Sequence, residues 1–209
     1  MPAIEETAKE KETAKKAVGK TSRRTIDKWK KKKWFVLHAS KSFNQREIGE
    51  TPAEKPELVE GRTILVSAQE LVNVPKKQHL MLKFKVDKVQ GLKAYTRLVG
   101  HEVNPNFIRR LVRRRTSKIE SNQVVELKDG KAKVKALTVT ARKLFGRQET
   151  KIRKIMADKI ASAAKKKEFE EFLHELLFGS VLSKINSEAK KIGLLKRIEI
   201  IKTAFIESK

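Results

Sequence analysis

The sequence predicts an α+β protein, a largely antiparallel β-sheet or barrel with packed helices and a basic N-terminal arm. Three observations predict it. Apolar residues alternate at strand spacing through the middle of the chain, apolar stripes at helical spacing follow, and the first residues hold almost no large apolar side chain. With 209 residues and 39% hydrophobic content, the chain is long enough for one domain with a core of its own. The arm is expected over residues 1–28 and a single α+β domain over 29–209.

Up to about residue 25 the chain is rich in Lys, Glu, Ala and Thr. Ile4 and Val18 are too little apolar surface there to offset the entropy of ordering it. The lysine run Lys30-Lys31-Lys32-Lys33 then gives way to Trp34-Phe35-Val36-Leu37, which reads as the first strand. Thr63 to Val72 and His79 to Val89 read as further strands, with Leu80, Leu82, Phe84 and Val86 facing one way. Gln90-Gly91 separates the latter from Leu92 to Val103, so the pair is expected to form an antiparallel hairpin. Asn104-Pro105 supplies an N-cap and a proline at the first helical position, followed by Phe107, Ile108, Leu111 and Val112 at helical spacing. The opposite face of that helix would carry Arg109, Arg110, Arg113, Arg114 and Arg115.

A second hairpin is expected from Val124–Lys128, the turn signal Asp129-Gly130, and a strand from Lys131 to Ala141. In that strand Lys131, Lys133 and Lys135 alternate with Ala132, Val134 and Ala136, making one face basic. Ile152, Ile155, Met156 and Ile160 form a helical stripe, and Phe169, Phe172, Leu173, Leu176 and Leu177 form another. After the break at Gly179-Ser180, Val181, Leu182 and Ile185 resume a helix. Ile198, Ile200, Ile201 and Phe205 then suggest a closing strand.

The charge narrows the function. There are 50 Lys and Arg against 25 Asp and Glu, a formal net charge of +25, which opposes compaction until a polyanion neutralises it. It is unevenly placed: residues 131–167 hold 13 basic and 2 acidic groups, whereas 168–209 hold 7 of each. A sign-mixed solvated surface would not be so lopsided, so the pattern points to a binding face for nucleic acid. Candidate contacts are Arg23, Arg24, Lys30–Lys33, Arg109, Arg110, Arg113, Arg114, Arg115, Lys131, Lys133, Lys135, Arg142, Lys143, Arg147, Arg153 and Lys154. Arginine matches phosphate in a bidentate fork, and no acid lies between Glu102 and Glu120 to neutralise the arginine cluster locally. Aromatic residues are only 6% of the chain, so recognition is expected to rest on phosphate and helical shape more than on stacked bases.

Other chemistry is excluded or unsupported. The absence of cysteine removes disulfides, thiolate metal sites and a cysteine nucleophile, and fits a reducing compartment. Val18-Gly19-Lys20-Thr21 resembles the end of a phosphate-binding loop, but Ala14 stands where that loop needs glycine. His38, His79, His101 and His174 have no metal-ligand spacing, and the carboxylate pair Glu170-Glu171 sits on an ordinary helix. No membrane-spanning run, cofactor, metal or catalytic site is expected. The chain reads as a cytoplasmic RNA binder and not as an enzyme, with a DNA-architectural or free RNA-binding regulatory protein as the alternative.

A family resemblance sharpens this reading. Lys32-Lys33-Trp34-Phe35 is followed by Phe43-Asn44 and Ile48-Gly49, then by Gly61-Arg62 with Val66-Ser67 and Leu71. Phe84-Lys85 with Val89-Gln90-Gly91 comes next, and later Gln148 with Ile152-Arg153-Lys154. In this order, over about residues 30–205, the chain resembles the archaeal and eukaryotic small-subunit ribosomal proteins of the S-three-Ae (S-one-e) family. The resemblance implies a structural constituent of the small ribosomal subunit, on its platform side near the messenger exit. It also implies small-subunit ribosomal RNA, neighbouring ribosomal proteins and messenger RNA as partners. The long C-terminal extension of eukaryotic members has no counterpart here, so an archaeal form is implied.

Overall fold

The computed structural model describes residues 28–72, 77–165 and 167–206. All but the last residue of the expected arm, with Val18–Thr21, Arg23 and Arg24, lies outside the described residues. The chain divides into two units, Met1–Lys32 and Lys33–Lys209. In the first, Lys28–Lys31 form a 3-10 turn, and the Lys32 ammonium stands 4.2 Å from the Trp29 ring centroid.

Among its described residues the second unit has eight strands: β1 Lys33–His38, β2 Glu47–Ala53, β3 Thr63–Ser67, β4 Leu80–Gln90, β5 Lys93–Val103, β6 Lys118–Glu126, β7 Lys131–Thr140 and β8 Leu195–Ile206. Its α-helices are α1 Ala68–Val72, α2 Pro105–Leu111, α3 Gly146–Ala164, α4 Phe169–Phe178 and α5 Val181–Ala189. The strands form one sheet in the order β2-β1-β5-β8-β7-β6, and β4 pairs with both β5 and β3. All pairings are antiparallel except β1 with β5. Strand β5 is the joint: its Lys93–Tyr95 end takes β1, its Gly100–Glu102 end takes β8, and β4 runs along it from Leu80 to Gln90. The α+β class and the largely antiparallel sheet are as the sequence predicts.

Burial follows the alternation. Leu80, Leu82, Phe84 and Val86 all lie in the core, with Phe84 edge-on to Phe43 at 5.8 Å between ring centroids. Ile152, Met156 and Ile160 of α3, all five apolar residues of the α4 stripe, and Val181 and Ile185 of α5 are buried too. Helix α3 packs on β6 and on α4 and α5, which in turn pack on β8, so these helices cover one face of the β6–β7–β8 ladder. Asn122, Lys133 and Lys202 are exposed on its other face. No helix among the described residues is long and apolar enough to cross a membrane.

Two expected strand boundaries differ. The strand expected over Thr63–Val72 stops at Ser67, because Ala68-Gln69-Glu70-Leu71 are good helix formers and a helical turn buries both Ala68 and Leu71. Strand β6 begins at Lys118, well before Val124; its inward positions include Ser121 beside Ile119 and Val125, and that small polar residue hides the alternation.

His101 of β5 is only 1% exposed. Its Nε2–H donates to the Ile200 carbonyl at 2.9 Å, which leaves Nδ1 to accept from the Thr203 hydroxyl. Burial pushes its pKa down to about 4. The unfolded chain therefore takes up this proton first, near pH 6.5, so stability is full above that pH and falls as pH drops toward 4. The loss over the whole window is about 3 kcal/mol. Urea unfolding at pH 7 and pH 5 should show a smaller difference in His101→Gln than in the parent; equal differences would mean that His101 does not carry it.

Candidate nucleic-acid interface

The interface begins where β5 ends. Asn104 caps α2 by accepting the Asn106 N–H at 3.0 Å, and the Asn104 N–H donates to the His79 carbonyl at 2.9 Å. The Phe107 ring stacks on His79 at 3.9 Å between centroids, and the Arg197 guanidinium stands 5.0 Å from that ring, so α2 is fastened to the start of β8. Burial holds His79 below its ordinary imidazole value despite Glu199 at 3.8 Å.

The helix is shorter than the periodicity suggests. It ends at Leu111, with Val112 extended, so only Arg109 and Arg110 are helical; Arg113, Arg114 and Arg115 form a turn beyond it. One more helical turn would set Arg113 and Arg114 over Arg109 and Arg110 with no acid between them. The Thr116 hydroxyl instead donates to the Arg113 carbonyl at 2.6 Å, and Arg115 takes a left-handed φ of 64°. All five arginines are exposed.

Ser117 then clasps this turn to the far end of β7. Its N–H donates to the Thr140 hydroxyl at 2.9 Å, its carbonyl accepts the Thr140 N–H at 3.1 Å, and its hydroxyl accepts the Leu144 N–H at 3.0 Å. The Ala141 N–H donates to the Leu194 carbonyl at 2.9 Å, and Gln148 Nε2 reaches the Ile192 carbonyl at 3.5 Å. Three chain segments meet here: Arg113–Lys118, Arg142–Arg147 and Lys190–Arg197. Arg142, Lys143 and Arg147 are exposed, and no acid lies between Asp129 and Glu149. Lys118, Lys190, Lys191 and Lys196, which the sequence reading did not single out, are exposed at this end as well. Of the nearby acids, Glu188 holds Lys159 at 2.6 Å and Glu199 holds Arg197 at 2.8 Å, while Glu149 lies in the first turn of α3.

The lysines of β7 have a different setting. Lys131, Lys133 and Lys135 share one face as expected, but β6 places acids beside two of them. Glu120 takes Lys118 at 2.5 Å and Lys135 at 2.8 Å, and Glu126 takes Lys131 at 3.5 Å. Hydrogen bonds from Lys118 and then Lys135 hold the Glu120 carboxyl below its ordinary value. Lys133 faces an open groove with Asn122, Lys135, Lys202 and Ala204. On α3, Arg153 Nε donates to the Glu120 carbonyl at 3.0 Å, while Lys154 is exposed. Lys33 opens β1 and is exposed; Lys30, Lys31 and Lys32 are exposed in the first unit.

The two ends of β7, whose ten residues span about 30 Å, therefore differ: one is cationic, and at the other acids stand among Lys128, Lys131 and Lys167. The Thr140 end carries the three cationic segments. At the Lys131 end, Asp129 Oδ2 accepts the Phe169 N–H at 3.3 Å, which brings Glu168, Glu170 and Glu171 of the α4 start beside the β6–β7 turn.

Comparison with known proteins agrees with the sequence resemblance. The model of the Ribosomal S3Ae family matches residues 20–209. The chain is 39% identical over 186 residues to the small ribosomal subunit protein eS1 of Methanothermobacter thermautotrophicus, covering 88% of this chain and 95% of that protein. It is 38% identical over 188 residues to the protein of that name from Methanobrevibacter smithii, covering 90% and 97%. With the one from Methanococcus vannielii it shares 40% identity over 195 residues, covering 93% and 88%.

Proposed function

This chain belongs to the ribosomal S3Ae family, and from that premise we propose that it is a structural constituent of the small ribosomal subunit in the cytoplasm, holding ribosomal RNA without catalysing a reaction. The observation that carries the RNA-binding part is the Ser117 clasp. With the Ala141–Leu194 bond it gathers cations from three separate segments at one end of the sheet; Glu120 and Glu199 take Lys118 and Arg197, and no acid lies within the segments that carry the others.

Arg109, Arg110, Arg113–Arg115, Arg142, Lys143 and Arg147 form the principal phosphate-binding surface, with Arg153 and Lys154 along its border. A set of guanidinium forks on a rigid frame suits the fixed phosphate spacing of folded RNA. Lys30–Lys33 add phosphate contacts, while the lysines of β7 contribute less because two of the three already face carboxylates. The opposite end of β7, where Asp129 and Glu168–Glu171 stand among Lys128, Lys131 and Lys167, is of mixed charge and suits contact with neighbouring ribosomal proteins. In this reading the subunit contact lies on the platform side near the messenger exit, as the family resemblance implies.

The test is sedimentation of native cell lysate through sucrose at low and at roughly molar salt, where simple phosphate pairing is screened. The protein should travel with the small subunit and stay there in high salt, held by shape and packing as well as charge. If it remained at the top of the gradient or followed chromatin, the ribosomal reading would fail and a free regulator or a DNA-binding protein would replace it.

A further inference from the structure

Phe145 is the most exposed large apolar side chain among the described residues, at 81%. A lone exposed apolar side chain is ordinary on a protein surface. Its backbone, however, is fixed at both polar atoms. The Phe145 N–H donates to Gln148 Oε1 at 3.2 Å, and its carbonyl accepts the N–H groups of Gln148 at 2.9 Å and Glu149 at 3.1 Å. One residue earlier, the Leu144 N–H is held by Ser117 and its side chain fills the space above Gly193. Phe145 has extended φ and ψ of −77° and 150°, so side chains alternate: Leu144 turns inward and Phe145 outward. The clasp and these backbone bonds hold the side chain's point of attachment outward.

The surroundings of the ring select its occupant. Arg142, Lys143 and Arg147 flank it, all exposed, against a single neighbouring acid, Glu149 in the first turn of α3. An apolar protein surface laid on Phe145 would have to desolvate these cations with at most one of them compensated. A nucleotide satisfies both, since its base covers the ring and its phosphates take the charges. We infer that Phe145 is a stacking platform for one unpaired RNA base whose neighbouring phosphates are held by Arg142, Lys143 and Arg147. This rests on the RNA-binding reading and adds to it a single-stranded element, which the low aromatic content of the chain does not suggest.

The full chain can be titrated with a short single-stranded RNA carrying one 2-aminopurine, beside the same RNA closed into a duplex. With Phe145→Ala, affinity for the single strand should fall about tenfold, and quenching of the fluorescent base should be lost. Affinity for the duplex and the salt slope should not change. Phe145→Trp should keep both affinity and quenching, and Phe145→Leu should lose the quenching. If Phe145→Ala binds and quenches as the parent does, the stacking role is overturned, whatever else covers the ring. In that event a reduced salt slope in Arg142→Ala/Lys143→Ala/Arg147→Ala would leave the phosphate reading standing. If the parent binds neither RNA, the RNA-binding reading itself fails.

Discussion

Replacing Arg113, Arg114, Arg142, Lys143 and Arg147 together by alanine is expected to weaken binding to folded RNA by roughly 10⁴-fold at about 0.1 M salt. Each phosphate contact contributes roughly 0.7–0.9 to the slope of log affinity against log salt, and the counterion contribution vanishes near 1 M. Five contacts therefore lower the slope by about four, and at a tenth of a molar that is about four decades. The fold should not suffer, because all five side chains are exposed and the Ser117 clasp uses backbone and hydroxyl groups. Thermal unfolding should move little, and relief of like-charge repulsion favours a slight rise.

A second variant tells this surface from cationic surface in general. Lys131→Ala/Lys135→Ala removes two charges that Glu126 and Glu120 partly balance, so it should change the slope by clearly less than two contacts would. Exposed ion pairs are weak, and a phosphate could displace either carboxylate. A slope change as large per residue as in the fivefold variant would therefore mean that RNA reaches β7 directly. An unchanged slope in the fivefold variant would remove the clasped end from the interface.

What the sequence shows and what it hides divide along a physical line. The β4–β5 hairpin, the inward residues of β7 and the stripes of α3 to α5 are legible because each burial pattern repeats within one element. The pairings of β5 with β1 and β8 are not, since Val36 meets Lys93 and Gly100 meets Ala204 with no repeat to record it. The same limit applies to the interface. Arg113–Arg115 continue a helical spacing on paper, but like-charge crowding and the Thr116 hydroxyl end the helix first. Residues 168–209 sum to zero charge, yet Glu168, Glu170 and Glu171 go to one end of β7 while Lys190, Lys191 and Lys196 go to the other. Averaging over a segment erases a separation that the Asp129–Phe169 hydrogen bond and the β7–β8 register create. Phe145 left no trace either, because a single aromatic in a basic run has no period.

Gly100→Ala is expected to destabilise the protein by about 4 kcal/mol and lower its melting temperature by about 10 °C. A Cβ on Gly100 would stand 2.2 Å from the Thr203 carbonyl oxygen and 3.2 Å from its carbon, and these are backbone atoms that cannot rotate away. Strand β8 would have to move off β5 by roughly 1 Å to restore an ordinary contact of about 3.5 Å. The β5–β8 seam has three residue pairs, Gly100–Glu102 against Lys202–Ala204, so little ladder remains to resist. The buried His101 contacts to Thr203 and Ile200 cross the same seam; overpacking and stranded polar groups each cost about 1–3 kcal/mol. Gly91→Ala is the control: Gly91 sits at φ +63° with nothing within 4 Å of an added Cβ, so only backbone strain of about 1–2 kcal/mol is expected. Equal, small losses in the two variants would show that the seam yields freely. If the seam is as tight as Gly100 indicates, it also sets the distance between α2, which follows β5, and the clasped loops carried by β7 and β8. Gly100→Ala, assayed well below its melting temperature, should then weaken RNA binding and flatten the salt slope although no charge has been removed.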